Sequence, residues 1–240
     1  MRTIFVVLLI VFWSSLNIKA QTNRWQDTKE YRIQRNAIDE FRDDKFVDGG
    51  FISNKNLKYS EILGTPYLNN EFKKGTVLTS TGTLLDNYLL RYNMYDDQIE
   101  YIKEGVVYEL TPKSLVKRAE FDSLIFVYIK YKNKGNISEG FCEVLVEGKA
   151  SLYRQHKIKF IPPIQGLPYN DSNPAHFSQP EEYFYVSVGY PHVSNLINNK
   201  ELSKMLIDKK SETDLFISKN KLSVKKGEDL IKIFEYYNSL

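Results

Sequence analysis

Residues 73–189 form a succession of short β-forming segments separated by very short polar links. The segments are rich in Val, Ile, Tyr and Phe, and the links include KEG, NKGN and EGK. Parallel strands need a crossover of a dozen or more residues, so links this short allow only antiparallel neighbours. The pattern predicts an antiparallel β-meander that forms a curved sheet or an incomplete barrel.

One of these segments also indicates how the sheet is covered. LIFVYIKY (124–131) is apolar at nearly every position. A strand of this kind is typical of the middle of a sheet with both faces covered. We therefore expect this segment to be central.

The C-terminal zone, 190–240, is predicted to be helical and to pack on the sheet. Asn198 is placed to cap a first helix, with Glu201 three residues later. The segment GEDLIKIFEYYN (227–238) places four apolar residues at helical spacing, namely Leu230, Ile233, Phe234 and Tyr237. An apolar stripe of this kind must be buried, and the sheet is the obvious surface. The predicted fold class is therefore α+β.

The first twenty residues have the pattern of a signal peptide. Arg2 is followed by the apolar run 4–13 and a polar stretch that ends at Ala20. Ten apolar residues are too few to cross a bilayer, which needs about 20. We expect cleavage near Ala20 and an exported mature chain that has no transmembrane segment after signal cleavage and is soluble.

Residues 21–72 are predicted to be a lead-in to the sheet. The segment 25–46 has apolar residues at roughly helical spacing, which indicates one amphipathic helix. Gly, Asn and Pro then occur at turn spacing, so the rest of the lead-in is expected to be irregular.

Cysteine usage and charge narrow the compartment and the partners. The single cysteine, Cys142, cannot form an intramolecular disulfide, which favours a bacterial envelope protein over an animal secreted protein. Two of the 33 Lys and Arg residues lie in the signal peptide, so the mature chain, with 30 Asp and Glu, is nearly neutral. A nucleic-acid-binding protein is not expected, because it would show a basic face or stripe. The periplasm and the cell surface remain open as locations.

The stretch LLRYNMYDDQIEY (89–101) is the strongest candidate for chemistry, but its pattern favours a hairpin. YDDQ indicates a tight turn, in which Asp side chains fold back on the backbone. Adjacent carboxylates such as Asp96 and Asp97 would diverge on a strand or solvate a turn. The three histidines have no metal-ligand spacing, and no GxSxG or HExxH motif is present. No metal, cofactor or catalytic residue is predicted.

The segment IPPIQGLPYNDSNPAHFSQPEE (161–182) contains five of the eight prolines. A loop of about twenty residues between strands is long and is commonly a binding loop or lid. Tyr169, His176 and Phe177 are its candidate contact residues. A loop that merely covers one end of the sheet is an equal alternative.

Two motifs resemble those of an uncharacterised family of exported β-rich envelope proteins from Gram-negative bacteria. They are GTPYLNNEFKKGTV (64–77) and LLRYNMYDDQIEY (89–101); FCEVLVEGKASLYRQ (141–155) and KLSVKKGEDLIKIFEYYN (221–238) are similar too. The resemblance covers most of residues 64–240. It implies export and a β-rich fold with a helical tail, and it brings neither an activity nor catalytic residues.

The leading functional hypothesis is a non-catalytic envelope protein that binds or scaffolds through its curved sheet. Tyr92, Met94, Tyr101 and Tyr128 would line an apolar groove or the plain core. The partner would be an envelope protein or a small apolar ligand. One alternative is a periplasmic carrier of a lipid-like ligand, which needs a dry pocket of several hundred Å3. Another is a hydrolase with a site near His176 or His192, which needs a carboxylate and a nucleophile beside that imidazole.

Overall fold

The computed structural model describes residue 41 and residues 51–52, 57–133, 135–164, 173–189, 193–195 and 198–240. The predicted signal peptide lies outside the described residues, and so does the predicted helix over 25–46 apart from Phe41, which is buried. The described strands are β1 Phe51–Ile52, β2 Leu57–Lys58, β3 Lys73–Thr79, β4 Leu84–Asn93, β5 Gln98–Lys103, β6 Val106–Glu109, β7 Val116–Phe121, β8 Leu124–Asn133, β9 Asn136–Val146, β10 Ala150–Lys157, β11 Phe160–Ile161, β12 His176–Phe177, β13 Glu181–Val188 and β14 Val193–Asn195. The helices are α1 Asn199–Met205, α2 Lys210–Lys219 and α3 Gly227–Ser239, and 3-10 turns span Tyr59–Glu61, Lys113–Leu115 and Ile207–Lys209.

Ten of the described strands form one large sheet in the order β14-β13-β10-β9-β8-β7-β3-β4-β5-β6. All neighbours in this order are antiparallel, as the short links predict. β1 with β2 and β11 with β12 form two further two-stranded pairs. The predicted α+β class, with a large antiparallel sheet and C-terminal helices packed on it, is confirmed.

The strand order departs from a simple meander at one point. β7 lies beside β3, not beside β6, which precedes it in the chain. Gly75 of β3 makes the close approach possible, because a Cβ there would lie 2.3 Å from the carbonyl oxygen of Glu120 in β7. Two local meanders, β3–β6 and β7–β10, are thereby joined side by side.

Strands β8, β9, β10, β13 and β14 bend into a partly closed unit, which we call the curl. Its two ends meet at one parallel bridge between Ser194 and Lys132. We call the face that carries Cys142 the inner face and the face that carries Phe141 the outer face. Away from the bulge beside Leu152 and Tyr153, strand alternation and the paired residues assign the side chains of the curl to these faces.

β8 lies near the middle of the sheet, as its apolar sequence predicts. On its outer face, Phe126 packs into the larger hydrophobic core of the protein. On its inner face, Tyr131 packs in a small buried cluster with Cys142 and Tyr185. Both of these β8 side chains are buried, whereas Ile125, Val127 and Ile129 are only half-buried. The expectation of complete cover on both faces is therefore wrong for the inner face, because the curl leaves one side of it open.

The predicted C-terminal helices are confirmed at both of the expected positions. Asn198 caps α1 by accepting a hydrogen bond from the N–H of Glu201 at 3.1 Å. The four predicted stripe residues of α3 are all buried, against Ala150, Leu152 and Val186 of the sheet. Among the described residues no helix is long and apolar enough to cross a membrane.

Candidate functional site

The turn between β4 and β5 comprises residues 94–97, one residue earlier than the predicted turn YDDQ (95–98), because Gln98 already belongs to β5. Asn93 closes it, since its Oδ1 accepts hydrogen bonds from the N–H groups of Tyr95 at 3.0 Å and Asp96 at 3.2 Å. Asp97 has a φ of 50°, in the left-handed region that Asp and Asn tolerate better than most residues. The two aspartates are therefore available for contacts outside the turn.

Asp96 points outward and ties the tip of the hairpin to neighbouring loops. Its carboxylate accepts a hydrogen bond from Tyr59 Oη at 2.5 Å. Its main-chain carbonyl accepts another from Lys113 Nζ at 2.9 Å. Asp96 remains exposed, so these are surface contacts.

Asp97 points inward and reaches the backbone of β9. Its Oδ1 accepts a hydrogen bond from Tyr92 Oη at 2.7 Å. The N–H of Phe141 donates to the same carboxylate at 3.2 and 3.3 Å. Gly140 makes room for it, since a Cβ at that residue would lie 2.5 Å from Asp97 Oδ2.

The carboxylate of Asp97 fills a gap in the sheet. β9 pairs with β8 from Asn136 to Glu143. Among the described residues, β9 pairs with β10 only at Glu143, Val144 and Val146, next to a bulge. Asp97 accepts the N–H of Phe141 where a β10 carbonyl would otherwise do so. We call this gap the seam.

Polar and aromatic side chains meet on the inner face beside the seam. Gln155 donates from Nε2 to Tyr131 Oη at 2.7 Å, and Tyr185 Oη donates to Gln155 Oε1 at 3.2 Å. The rings of Tyr131 and Tyr185 lie 4.4 Å apart, and Cys142 is fully buried between the same strands. We call Asp97, Tyr92, Tyr131, Cys142, Gln155 and Tyr185 the Asp97 cluster.

Burial governs the ionisation of this cluster. Loss of solvent raises the pKa of Asp97 from 3.8 to about 6, although Lys113 and the hydrogen bond from Tyr92 favour its charged form. Burial also raises the pKa of the Cys142 thiol and of the Tyr92 phenol far above their ordinary values. Asp97 is thus the member of the cluster that titrates in the physiological range.

A second buried network joins β9, β10 and β13 on the outer face. Glu143 accepts hydrogen bonds from Arg154 Nε at 2.9 Å and Nη2 at 3.0 Å, and it contacts His156 Nε2 at 2.7 Å. Arg154 also donates to Glu182 at 3.0 Å. Burial raises the pKa of Glu143, but the contacts with His156 and Arg154 outweigh it and the pKa is lowered. Among the histidines that the structure describes, His156 is the one in contact with a carboxylate.

Arg91, in the β4–β5 hairpin, also makes its contacts within the protein. Arg91 pairs with buried Glu100 at 2.5 Å. Its guanidinium lies 3.4 Å from the ring centroid of Tyr67 and 4.2 Å from that of Phe72, in cation–π geometry. Burial raises the pKa of Glu100, because it outweighs the hydrogen bond and the charge of Arg91. This arrangement holds the lead-in segment against the sheet.

Five residues predicted as ligand or partner contacts belong to one hydrophobic core. Tyr92, Met94, Tyr101 and Phe177 are buried in it, and Tyr128 is half-buried against Phe141 with a ring separation of 5.2 Å. The sequence leaves open whether the three tyrosines and Met94 line a groove or the core, and the structure places them in the core. The Asp97 cluster shares only Tyr92 with the predicted set.

The remaining predicted residues lie in or near the proline-rich segment. Tyr169 and His192 lie outside the described residues. His176 is half-buried, and its Nδ1 is 3.0 Å from the carbonyl oxygen of Pro174. The segment is anchored at both ends, because β11 pairs with β12 through Phe160 with Phe177 and Ile161 with His176.

A row of half-buried apolar side chains covers the open part of the inner face. Pairing places Val127 beside Cys142, Tyr153 beside Val144 and Tyr185, and Val193 beside Ser187 on this face. The row, which we call the inner row, consists of Val127, Ile129, Val144, Tyr153, Tyr183 and Val193. Its floor is the buried trio of Tyr131, Cys142 and Tyr185. This combination makes a shallow apolar surface above a filled interior.

Comparisons with known proteins assign no family to this chain. No family model, no curated protein and no solved structure matches it. Within the described ranges, no three His, Cys, Asp or Glu side chains are grouped so as to hold a metal ion. The site is therefore interpreted from its own geometry.

Proposed function

We propose that this chain is an exported, non-catalytic protein of the cell envelope that binds a partner protein through the inner row. The observation that carries the proposal is the continuity of half-buried apolar side chains over a buried aromatic floor. Contiguous apolar surface of this kind marks interaction sites in proteins. The signal-like sequence 1–20 supports export, and the motifs similar to envelope proteins support the compartment.

The shape of the inner row favours a protein partner over a small molecule. Alternate residues of one strand face lie about 7 Å apart, so Val127 and Ile129 of the inner row, together with Ile125 on the same strand face, offer a linear apolar strip about 13 Å long. The interior beneath is occupied, since the rings of Tyr131 and Tyr185 are 4.4 Å apart. A lipid-like ligand would need the space that these rings fill, whereas an apolar segment of a partner protein can lie on the strip.

Native mass spectrometry of protein purified from its own envelope tests the proposal. We expect a stoichiometric protein partner with the wild type, and a chain mass that corresponds to cleavage near Ala20. The substitution Ile129→Asp puts a charge into the inner row and should abolish the complex. Lys117→Asp, at an exposed position of β7, is the matched control and should leave it intact.

The alternatives give different outcomes in the same experiment. A co-purifying lipid lost with Ile129→Asp would support the carrier and overturn the protein-binding proposal. A protein retained equally by both variants would place its contact elsewhere and would also overturn it. A photo-cross-linking residue at position 129 provides a second measurement if Ile129→Asp does not fold.

A further inference from the structure

At the seam, a side chain and not a neighbouring strand accepts a hydrogen bond from the backbone of β9. Between β8 and β9, backbone pairing continues from Glu143 to Asn136. On the opposite edge of β9, the N–H of Phe141 is bonded to the carboxylate of Asp97. Asp97 belongs to the hairpin turn, 44 residues earlier in the chain. The hairpin tip and the curl are therefore joined across the seam through one ionisable group.

Titratable and charged groups face Asp97 from every element around it. They are Tyr92 on β4, Lys113 in the 3-10 turn, Tyr128 and Tyr131 on β8, Cys142 on β9 and Lys157 on β10. The two lysines favour the ionised carboxyl group by Coulomb attraction, and Tyr92 favours it by its hydrogen bond. Burial acts in the opposite direction and is the largest effect. The phenols and the thiol stay neutral at physiological pH, so Asp97 alone in this group changes its charge there.

We propose that Asp97 is a proton-operated latch that holds the seam closed when it is protonated and releases it when it is ionised. A protonated carboxyl group still accepts the hydrogen bonds from Tyr92 and Phe141, and it carries no buried charge. An ionised one gains solvation if the hairpin tip moves off β9. Opening leaves the rest of the sheet paired, because β9 keeps its ladder to β8. We expect opening to expose Cys142, which follows Phe141 in β9 and lies close enough to Asp97 to feel its charge.

The expected change of the opening equilibrium with pH follows from the difference between the pKa of Asp97 in the closed state and its pKa in water. The pKa of Asp97 is about 6 in the closed state and 3.8 when solvated. The equilibrium constant for opening then rises about tenfold between pH 5 and pH 8, and about 150-fold over the whole titration. Chemical labelling of Cys142, the only cysteine of the chain, measures this constant.

The experiment compares thiol-labelling rates of the wild type and of Asp97→Asn from pH 5 to pH 8. Taking the ratio at each pH removes the intrinsic reactivity of the thiolate. We expect the wild-type rate to rise about tenfold more than that of Asp97→Asn. Asp96→Asn removes the neighbouring, exposed carboxylate and should behave like the wild type. Equal rises in the wild type and Asp97→Asn would overturn the proposal.

Two further measurements separate local opening from unfolding. Val186→Cys in a Cys142→Ser background places the thiol under the helices. Its labelling should show no excess rise with pH, and an equal rise there would mean global unfolding and refute the latch. If Asp97→Asn does not fold, hydrogen exchange of the Phe141 amide in the wild type gives the answer. We expect its protection to fall about tenfold between pH 5 and pH 8, and a constant protection factor would refute the proposal.

Discussion

The substitution Asp97→Asn tests how the buried carboxyl group affects global stability. Asparagine has nearly the same shape and tolerates the left-handed φ of 50° at this position. Its Oδ1 can still accept the hydrogen bonds that Tyr92 and Phe141 donate. The main change is therefore that residue 97 can no longer ionise.

The magnitude follows from the pKa of Asp97 in the native and unfolded chains. Burial raises it from 3.8 to about 6, so the native state binds this proton more tightly than the unfolded state does. The corresponding stability is fully present below pH 3.8 and is lost as the pH rises through about 6. At about 1.4 kcal/mol per pH unit, the loss is about 3 kcal/mol in total and about 2.5 kcal/mol between pH 4 and pH 8.

Urea unfolding of the wild type and Asp97→Asn at several pH values measures this loss. The free energy of unfolding of the wild type should fall by about 2.5 kcal/mol relative to the variant between pH 4 and pH 8. Any cost of the new amide N–H2 group shifts the variant's curve by a constant and does not change its slope. Asp96→Asn controls for loss of a charge from the same turn. Parallel curves for the wild type and Asp97→Asn would refute the reasoning.

Two further substitutions test the packing that positions the site. Ile233→Ala leaves a cavity at a fully buried position between α3 and the sheet and should lower the free energy of unfolding by about 3 kcal/mol. The control Lys232→Ala, at an exposed neighbouring position, should change it by less than about 0.5 kcal/mol. Urea unfolding measures both, and equal effects would contradict the packing of α3 on the sheet. Gly75→Ala places a Cβ 2.3 Å from the carbonyl oxygen of Glu120 and should cost more than about 3 kcal/mol or prevent folding, which circular dichroism and thermal unfolding would detect. A Gly75→Ala protein within about 1 kcal/mol of the wild type would contradict the close approach of β7 to β3.

Local features of the fold could be predicted because their causes are local. Short links allow only antiparallel neighbours, and an Asn cap with an i, i+3, i+4, i+7 stripe defines a helix end and its buried face. The helix α2 (Lys210–Lys219) has no such signal. Its apolar residues Leu215, Phe216 and Ile217 are consecutive, and it buries Thr213 and Ile217. A run of adjacent apolar residues has no period, so its sequence does not identify a helix.

The pairing of β7 with β3 could not be predicted from local pattern. β6 and β7 are adjacent in the chain, and nothing in the short segment between them shows that β7 passes to the other side of β3. The pairing requires the missing side chain of Gly75, which lies about 40 residues before β7. A glycine in a strand does indicate close backbone approach, but it does not identify the partner.

The two adjacent aspartates show the same limit at the site. Alternation predicts that neighbouring side chains diverge, and Asp96 does turn toward Tyr59 while Asp97 turns toward Tyr92. What makes one of them a surface contact and the other a partly buried acid is the divergence of β10 from β9, which leaves the N–H of Phe141 to be satisfied. A buried amide must find an acceptor, and the nearest turn supplies one. The chemistry of Asp97 is therefore determined by the bulge in a strand pair to which it does not belong.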